Sequence, residues 1–258
     1  MFQKIASLKT CYSPPMLIIS SSAKTLDLET PAPQGQAPNF LIEANKAQSV
    51  LASMDVQTFS EILGVSEKIA LLNVERMQTW SSAKARPALF MYKGDVYRQL
   101  NPSDYSKEQL DYAKSVFAIS GLYGAVGGMD EIKPYRLEMK AKLEGYGSMN
   151  VYWKPLVTDY FNKLVEKEGH QFLLNLASKE YAKAVDRKKL TIPVIDVEFK
   201  EERDGKLKIV GLMAKRARGM MIDYCIVNHV QDPAELRHFN SAGYEFLGEE
   251  NGTLTFVR

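Results

Sequence analysis

The chain has 258 residues, 45% of them apolar, enough to fill the core of one large domain or two small ones. Its 33 Lys and Arg face 31 Asp and Glu, a formal charge of +2, so any nucleic-acid or membrane signal has to be local. Cys11 and Cys225 are too few and too far apart for a disulfide framework or a cysteine metal finger, which suits a reducing cytoplasm, and no apolar run is long enough to cross a bilayer.

Residues 1–15, "MFQKIASLKTCYSPP", are interrupted by Lys4 and Lys9 and end in two prolines, so they lack the apolar centre of a secretory signal. They read as a disordered or additional lead, with a single domain over 16–258. "MLIISS" (16–21) is an apolar β-type run, and Ser21-Ser22-Ala23-Lys24 after it matches S-x-x-K. No S-D-N or K-T-G follows, so Ser21 is not favoured as a nucleophile. "TPAPQGQAP" (30–38) reads as a surface loop, and 40–52 has a helical pattern.

"FSEILGVSEKIALLN" (59–73) then breaks two apolar helical segments at Leu63-Gly64-Val65-Ser66. Gly64, Val65 and Ala70 match the helix-hairpin-helix module's L-P-G-I-G-x-x-x-A-x-x-I, while Leu63, Ser66 and Asn73 depart from it. In that module the amides at the start of the second helix meet a DNA phosphate; Ser66 would cap the helix and Lys68 would lie in its first turn. The competing reading is an αα-hairpin closed by a glycine C-cap, which needs no ligand.

"PALFMY" (87–92), "SVFAIS" (115–120), "QFLLNLA" (171–177) and "TIPVIDVEF" (191–199) read as strands, and 66–80, 106–116, 153–167 and 217–230 as helices. Asp204-Gly205 and Asn251-Gly252 mark two hairpins, because these pairs tolerate the positive φ of tight turns. The expected fold is mixed α/β or α+β: one compact domain with a mixed sheet, flanking helices and antiparallel hairpins in its C-terminal third.

"YKGDVY" (92–97) turns at Gly94-Asp95 and delivers Lys93 and Asp95 near a strand end. The glycines of "SGLYGAVGGMDEIKPYRLEMK" (120–140) follow a strand but fit neither phosphate-loop spacing, so tight loop packing is the favoured reading. "AKRARGMM" (214–221) packs Lys215, Arg216 and Arg218 together at the expected start of a helix, where cations are unfavourable unless an anion or internal carboxylate neutralises them. Cys225 and His229 are four apart on that helix, spaced as metal ligands can be, but His170 and His238 are remote, so a core pair is favoured and no metal or cofactor is expected. The common nucleotide, zinc-protease and hydrolase motifs are absent from the sequence.

"MLIISSSAKTLD", "YKGDVYRQL", "SGLYG", "PYRLEM", "NLASKEY", "AKRARG" and "FNSAGYEF", in this order and at comparable spacing, resemble the YaaA family of peroxide stress resistance proteins over nearly the whole chain from Met16. The resemblance departs at Ser22, where the family has proline in S-P-A-K, and in the 15-residue lead. It implies a single α+β domain with a helix-hairpin-helix element and a basic cleft, in a cytoplasmic DNA-binding protein that limits iron-dependent oxidative damage under peroxide stress. On that footing Lys24, Lys93, Arg136, Lys215 and Arg218 are expected to line one cleft, with Gly64, Val65, Ser66 and Lys68 adding a phosphate contact. Binding would be mainly to phosphates and weakly sequence-selective. The alternative is an enzyme acting on a nucleotide or nucleobase in the same cleft, with Lys24, Asp95 and Glu138 as candidate catalytic groups; carboxylates repel a polyanion and need another role.

Overall fold

The first apolar run forms strand β1 (Met16–Ser21), and its side chains divide between two cores. Leu17 and Ile19 enter one and Met16 and Ile18 the other, because successive strand residues point to opposite faces. A strand buried on both faces has to lie inside a covered sheet. That is its place in the computed structural model, in which residues 16–258 are described.

The main sheet has eight strands: β1, β2 (Val116–Ser120), β3 (Gly124–Gly127), β4 (Phe172–Asn175), β5 (Val194–Arg203), β6 (Lys206–Lys208), β7 (Glu245–Glu250) and β8 (Thr253–Val257). Their spatial order is β7-β8-β5-β4-β1-β2-β3, with β6 paired to β5. The strands β2, β1, β4, β5 and β8 run parallel, while β3, β6 and β7 pair antiparallel at the margins. The expected mixed α/β domain forms, and both hairpins turn where expected, with positive φ at Asp204, Gly205, Asn251 and Gly252.

Helices α1 (Leu41–Ala52), α2 (Val56–Leu63) and α3 (Glu67–Gln78) bury one face each, with Leu51, Phe59, Leu63, Val74 and Met77, in the core of Leu17 and Ile19. The long helix over 149–168 joins them there through Trp153, Val157 and Phe161. The opposite face is covered by the helix over 211–228, which contributes Ala214, Ala217, Met221, Ile222, Cys225 and Ile226.

Two local expectations are corrected. Within "PALFMY", residues Ala88–Met91 form a short helix, α4, not a strand, and all four are buried. A short apolar run enclosed on every side carries no period that separates strand from helix. Here the amides of Ala88 and Leu89 donate to the carbonyls of Asp130 and Gly128, both at 2.9 Å, which holds the chain off the sheet. The second correction concerns the basic cluster. After α5 (Lys107–Tyr112), α6 (Met149–Glu168) and α7 (Lys179–Ala182), helix α8 (Gly211–Asn228) begins several residues before its expected start. Lys215, Arg216 and Arg218 therefore lie inside α8, where Ala, Lys and Arg are good helix formers, and the conflict with the helix dipole does not arise.

Candidate functional site

Register brings three parallel strands to a common end. Ser21 pairs with Ile119 across β1 and β2, and Ile19 with Asn175 across β1 and β4. The chain leaves β1 for β2 and β3 on one side and returns to β4 and β5 on the other, so strand order reverses at β1, where open α/β sheets place ligand sites. The loops leaving these ends carry the sequence motifs at Ser21–Lys24, Ser120–Tyr123 and Asn175–Tyr181.

Hydroxyl groups knit the loops together. Ser21 Oγ accepts the Ser178 amide at 3.0 Å and lies 3.3 Å from Ser178 Oγ. Tyr97 OH lies 3.0 Å from Ser20 Oγ and donates to the Ser21 carbonyl at 3.2 Å. Tyr135 OH lies 2.6 Å from both Tyr92 OH and Ser120 Oγ. Burial pushes Tyr92, Tyr97, Tyr135 and Tyr181 above the ordinary phenol range, which keeps these hydroxyls neutral.

Glu138 is set over this cluster by a close backbone approach. A Cβ at Gly121 would stand 2.3 Å from the Leu137 carbonyl oxygen, so only glycine lets the 137–138 segment cross the end of β2. Tight packing, the favoured reading of the glycine-rich stretch, is what forms here. Glu138 Oε1 receives Lys24 Nζ at 3.1 Å and Arg136 Nη2 and Nε at 3.0 and 3.2 Å. Glu138 Oε2 is buried and has no hydrogen-bond partner among the described residues. The Lys24 ammonium is thus committed to Glu138, and Ser21 bonds to Ser178, so S-x-x-K forms no serine–lysine pair.

The other expected site residues scatter. Lys93 pairs with Asp27 at 2.8 Å, and this bond, with the Thr30 amide next, holds the Asp27 carboxyl well below the usual carboxylate range. Asp95 lines a separate pocket of about 260 Å³ with Arg98, Arg216 and Arg258, which Glu138 does not enter. Lys215 is exposed on α8. Arg218, one turn on, faces a larger cleft, where burial lowers its guanidinium below the ordinary range.

The break at Gly64 is an αα-hairpin. Gly64 takes φ 60° and ψ 47° as the left-handed cap of α2, and its amide bonds to Ser60 O. Ser66 adopts the extended N-cap geometry of α3 without a side-chain cap bond, and Gly64, Ser66 and Lys68 are exposed while Val65 is partly buried. Arg76, near the far end of α3, is lowered mainly by burial and then by the charge of Arg136, which marks that end as the one beside the strand-end cluster. At about 1.5 Å per residue, Ser66 lies roughly 15 Å further along the helix.

The larger cleft, about 790 Å³, runs from Asn175 and Lys179 across β5 to Ala214 and Arg218 of α8. Six cations line it, Lys154, Lys179, Lys183, Arg187, Lys188 and Arg218, with three carboxylates. Each carboxylate is already paired: Asp186 with Lys154 at 3.5 Å, Asp196 with Arg187 at 2.5 Å, and Glu198 with Lys200 at 3.1 Å. Lys179, Lys183, Lys188 and Arg218 have no carboxylate partner among the described residues. Of these only Arg218 was expected from motifs. The signal for the rest was the run "SKEYAKAVDRKK" (178–189), in which Lys179, Lys183 and Arg187 recur every fourth residue.

Cys225 is fully buried, and His229 caps α8 in left-handed geometry with its ring edge-on to Tyr112, so the two do not form a helical ligand pair. Among the described residues no group of three His, Cys, Asp or Glu is placed to hold a metal ion, and no helix is long and apolar enough to cross a membrane.

Fold and site define a three-layer mixed α/β protein with a polar cluster at its central strand ends and a cation-rich cleft beside it. The family model for the peroxide stress protein YaaA matches residues 16–250. A UPF0246 protein of Rickettsia bellii is 38% identical over 248 residues, covering 94% of this chain and all of its own. A UPF0246 protein of Hahella chejuensis is 41% identical over 240 residues, covering 90% of this chain and 94% of its own. One of Aliivibrio fischeri is 39% identical over 251 residues, covering 94% of this chain and 97% of its own. The chain belongs to the YaaA peroxide stress protein family.

Proposed function

We propose that the protein serves in the peroxide stress response by binding duplex DNA through the cation-rich cleft, and so limits iron-dependent oxidative damage to the DNA it covers. One observation carries the reading: four cations of the cleft have no carboxylate partner among the described residues, and a phosphate backbone is a polyanion that would neutralise them together. Such contacts position DNA without reading its bases, so binding is weakly sequence-selective. The hairpin at Gly64–Lys68 is assigned a secondary phosphate contact, through the amides that open α3 and through Lys68. Lys24 and Arg136, expected in the cleft, are given a different part because both turn to Glu138.

The test is duplex affinity against salt for the wild type and for the Lys183→Ala, Lys188→Ala pair. The wild type loses affinity steeply as salt rises, and the double variant lowers the log–log slope by about 2. A flat wild-type dependence overturns the reading.

A second reading, an enzyme acting on a nucleotide or nucleobase, is favoured by the buried and unpartnered Oε2 of Glu138. Asp95 belongs to another pocket, so this reading centres on Glu138 and Lys24. Turnover of a nucleotide that disappears in Lys24→Ala would support it; absence of turnover across nucleotides and nucleosides would remove it.

A further inference from the structure

A buried carboxylate oxygen without a partner keeps an uncompensated desolvation cost and calls for an explanation. Glu138 is the case in point: its side chain is 4% exposed, Oε1 takes three bonds, and Oε2 takes none. Its neighbours are largely satisfied. Tyr135 bonds to Tyr92 and Ser120, and the Ser120 hydroxyl in turn accepts the amides of Leu122 and Tyr123. The orphan acceptor therefore stands beside two cationic donors in a cluster whose other polar groups already have partners.

That arrangement selects a ligand edge. An ammonium group is disfavoured, because the cluster sets two cations against one carboxylate. The complement of an acceptor flanked by donors is a neutral N–H flanked by carbonyl oxygen. Helix α7 adds the second half: Tyr181 faces the cluster, near enough for the Glu138 charge to act on it, whereas Lys179 and Lys183 line the cleft. The short helix α7 thus stands between the Glu138 cluster and the cation-rich cleft.

We propose that the cluster of Glu138, Lys24 and Arg136 binds the base of a nucleotide bearing a lactam or imide edge, as in guanine or uracil. The base N–H donates to Glu138 Oε2, and the adjacent carbonyl accepts from Lys24 or Arg136. The Lys24 side chain, 57% exposed, marks the solvent side of the cluster, from which the base enters. The inference rests on the second reading above and names the ligand of that site; it requires no contact with duplex DNA.

The full chain is titrated calorimetrically with GMP, UMP, AMP, CMP and inorganic phosphate. GMP and UMP bind at least tenfold more tightly than AMP and CMP, and phosphate alone binds more weakly than any of them. In Glu138→Gln the amide oxygen stays with Lys24 and Arg136, so the NH2 group takes the place of Oε2. The variant then loses at least tenfold for GMP and UMP and gains for CMP, whose ring nitrogen accepts beside its carbonyl; a purely structural role would not reverse the preference. If that variant fails to fold by circular dichroism, Lys24→Ala replaces it and weakens GMP and UMP binding while keeping their lead. No nucleotide binding, equal binding of all four, or an unchanged preference in Glu138→Gln would each overturn the site. Binding without turnover leaves the site standing and removes only the enzymatic reading.

Discussion

Burial and charge oppose each other at Asp130. Its carboxyl is pushed up to about 6, first by burial, with bonds from Gln36 and the Gly127 amide acting the other way. An unfolded Asp titrates near about 4, so between about pH 4 and pH 6 the folded protein binds the extra proton. Stability from this group is therefore greatest in acid and falls as pH rises, with a penalty on the order of 3 kcal/mol fully present above about pH 6. Asp27, Asp196 and Glu201 are held low, and their contributions are lost in the opposite direction, as pH falls below the ordinary carboxylate range. Melting temperature is expected to drop from pH 5 to pH 7, and Asp130→Asn to flatten that slope; an unchanged slope would contradict the assignment. Cys225 supplies a second residue-level test, because burial pushes its thiol up and leaves no thiolate for peroxide to attack. Mass spectrometry after peroxide treatment of the folded protein should find Cys225 unmodified, and a sulfinic acid there would contradict its inert placement. Lys24, Arg136 and Glu138 were legible because motifs quoted them. The same motifs contain Tyr92, Tyr97, Tyr135 and Tyr181, but not as one cluster, since these tyrosines meet only after the strands align.

Among the elements, the hairpin between α2 and α3 is where a structural and a functional reading part. Gly64 has open space where a Cβ would go, so Gly64→Ala meets only the left-handed φ and should cost about 1 kcal/mol, read from chemical denaturation. Lys68→Glu should leave stability within about 0.5 kcal/mol, being exposed, yet weaken duplex binding several-fold. Unchanged binding would return the hairpin to packing alone. Strands were readable wherever a clear period or turn existed: β1 from its apolar run, β5 to β8 from Asp204-Gly205 and Asn251-Gly252. The start of α8 and the helical form of Ala88–Met91 were not, because the first depends on tertiary placement and the second has no exposed face to create a period.

At the scale of the molecule, a chain of nearly balanced charge places four cations without a carboxylate partner among the described residues in one cleft and a mixed-charge cluster beside it. The family resemblance pooled Lys24, Lys93, Arg136, Lys215 and Arg218 in a single cleft; folding instead gives Lys24 and Arg136 to Glu138, Lys93 to Asp27, and Arg218 to a cleft shared with Lys179, Lys183 and Lys188. The pairing of a cation is a long-range fact, and motif position does not carry it. The most direct test of the DNA-binding account is the salt dependence of duplex affinity, compared between the wild type and Lys183→Ala, Lys188→Ala. The account predicts a steep linear fall of log affinity with log salt, and a slope reduced by about 2 in the variant. A flat wild-type line, or a steep line that the two substitutions leave unchanged, would contradict it.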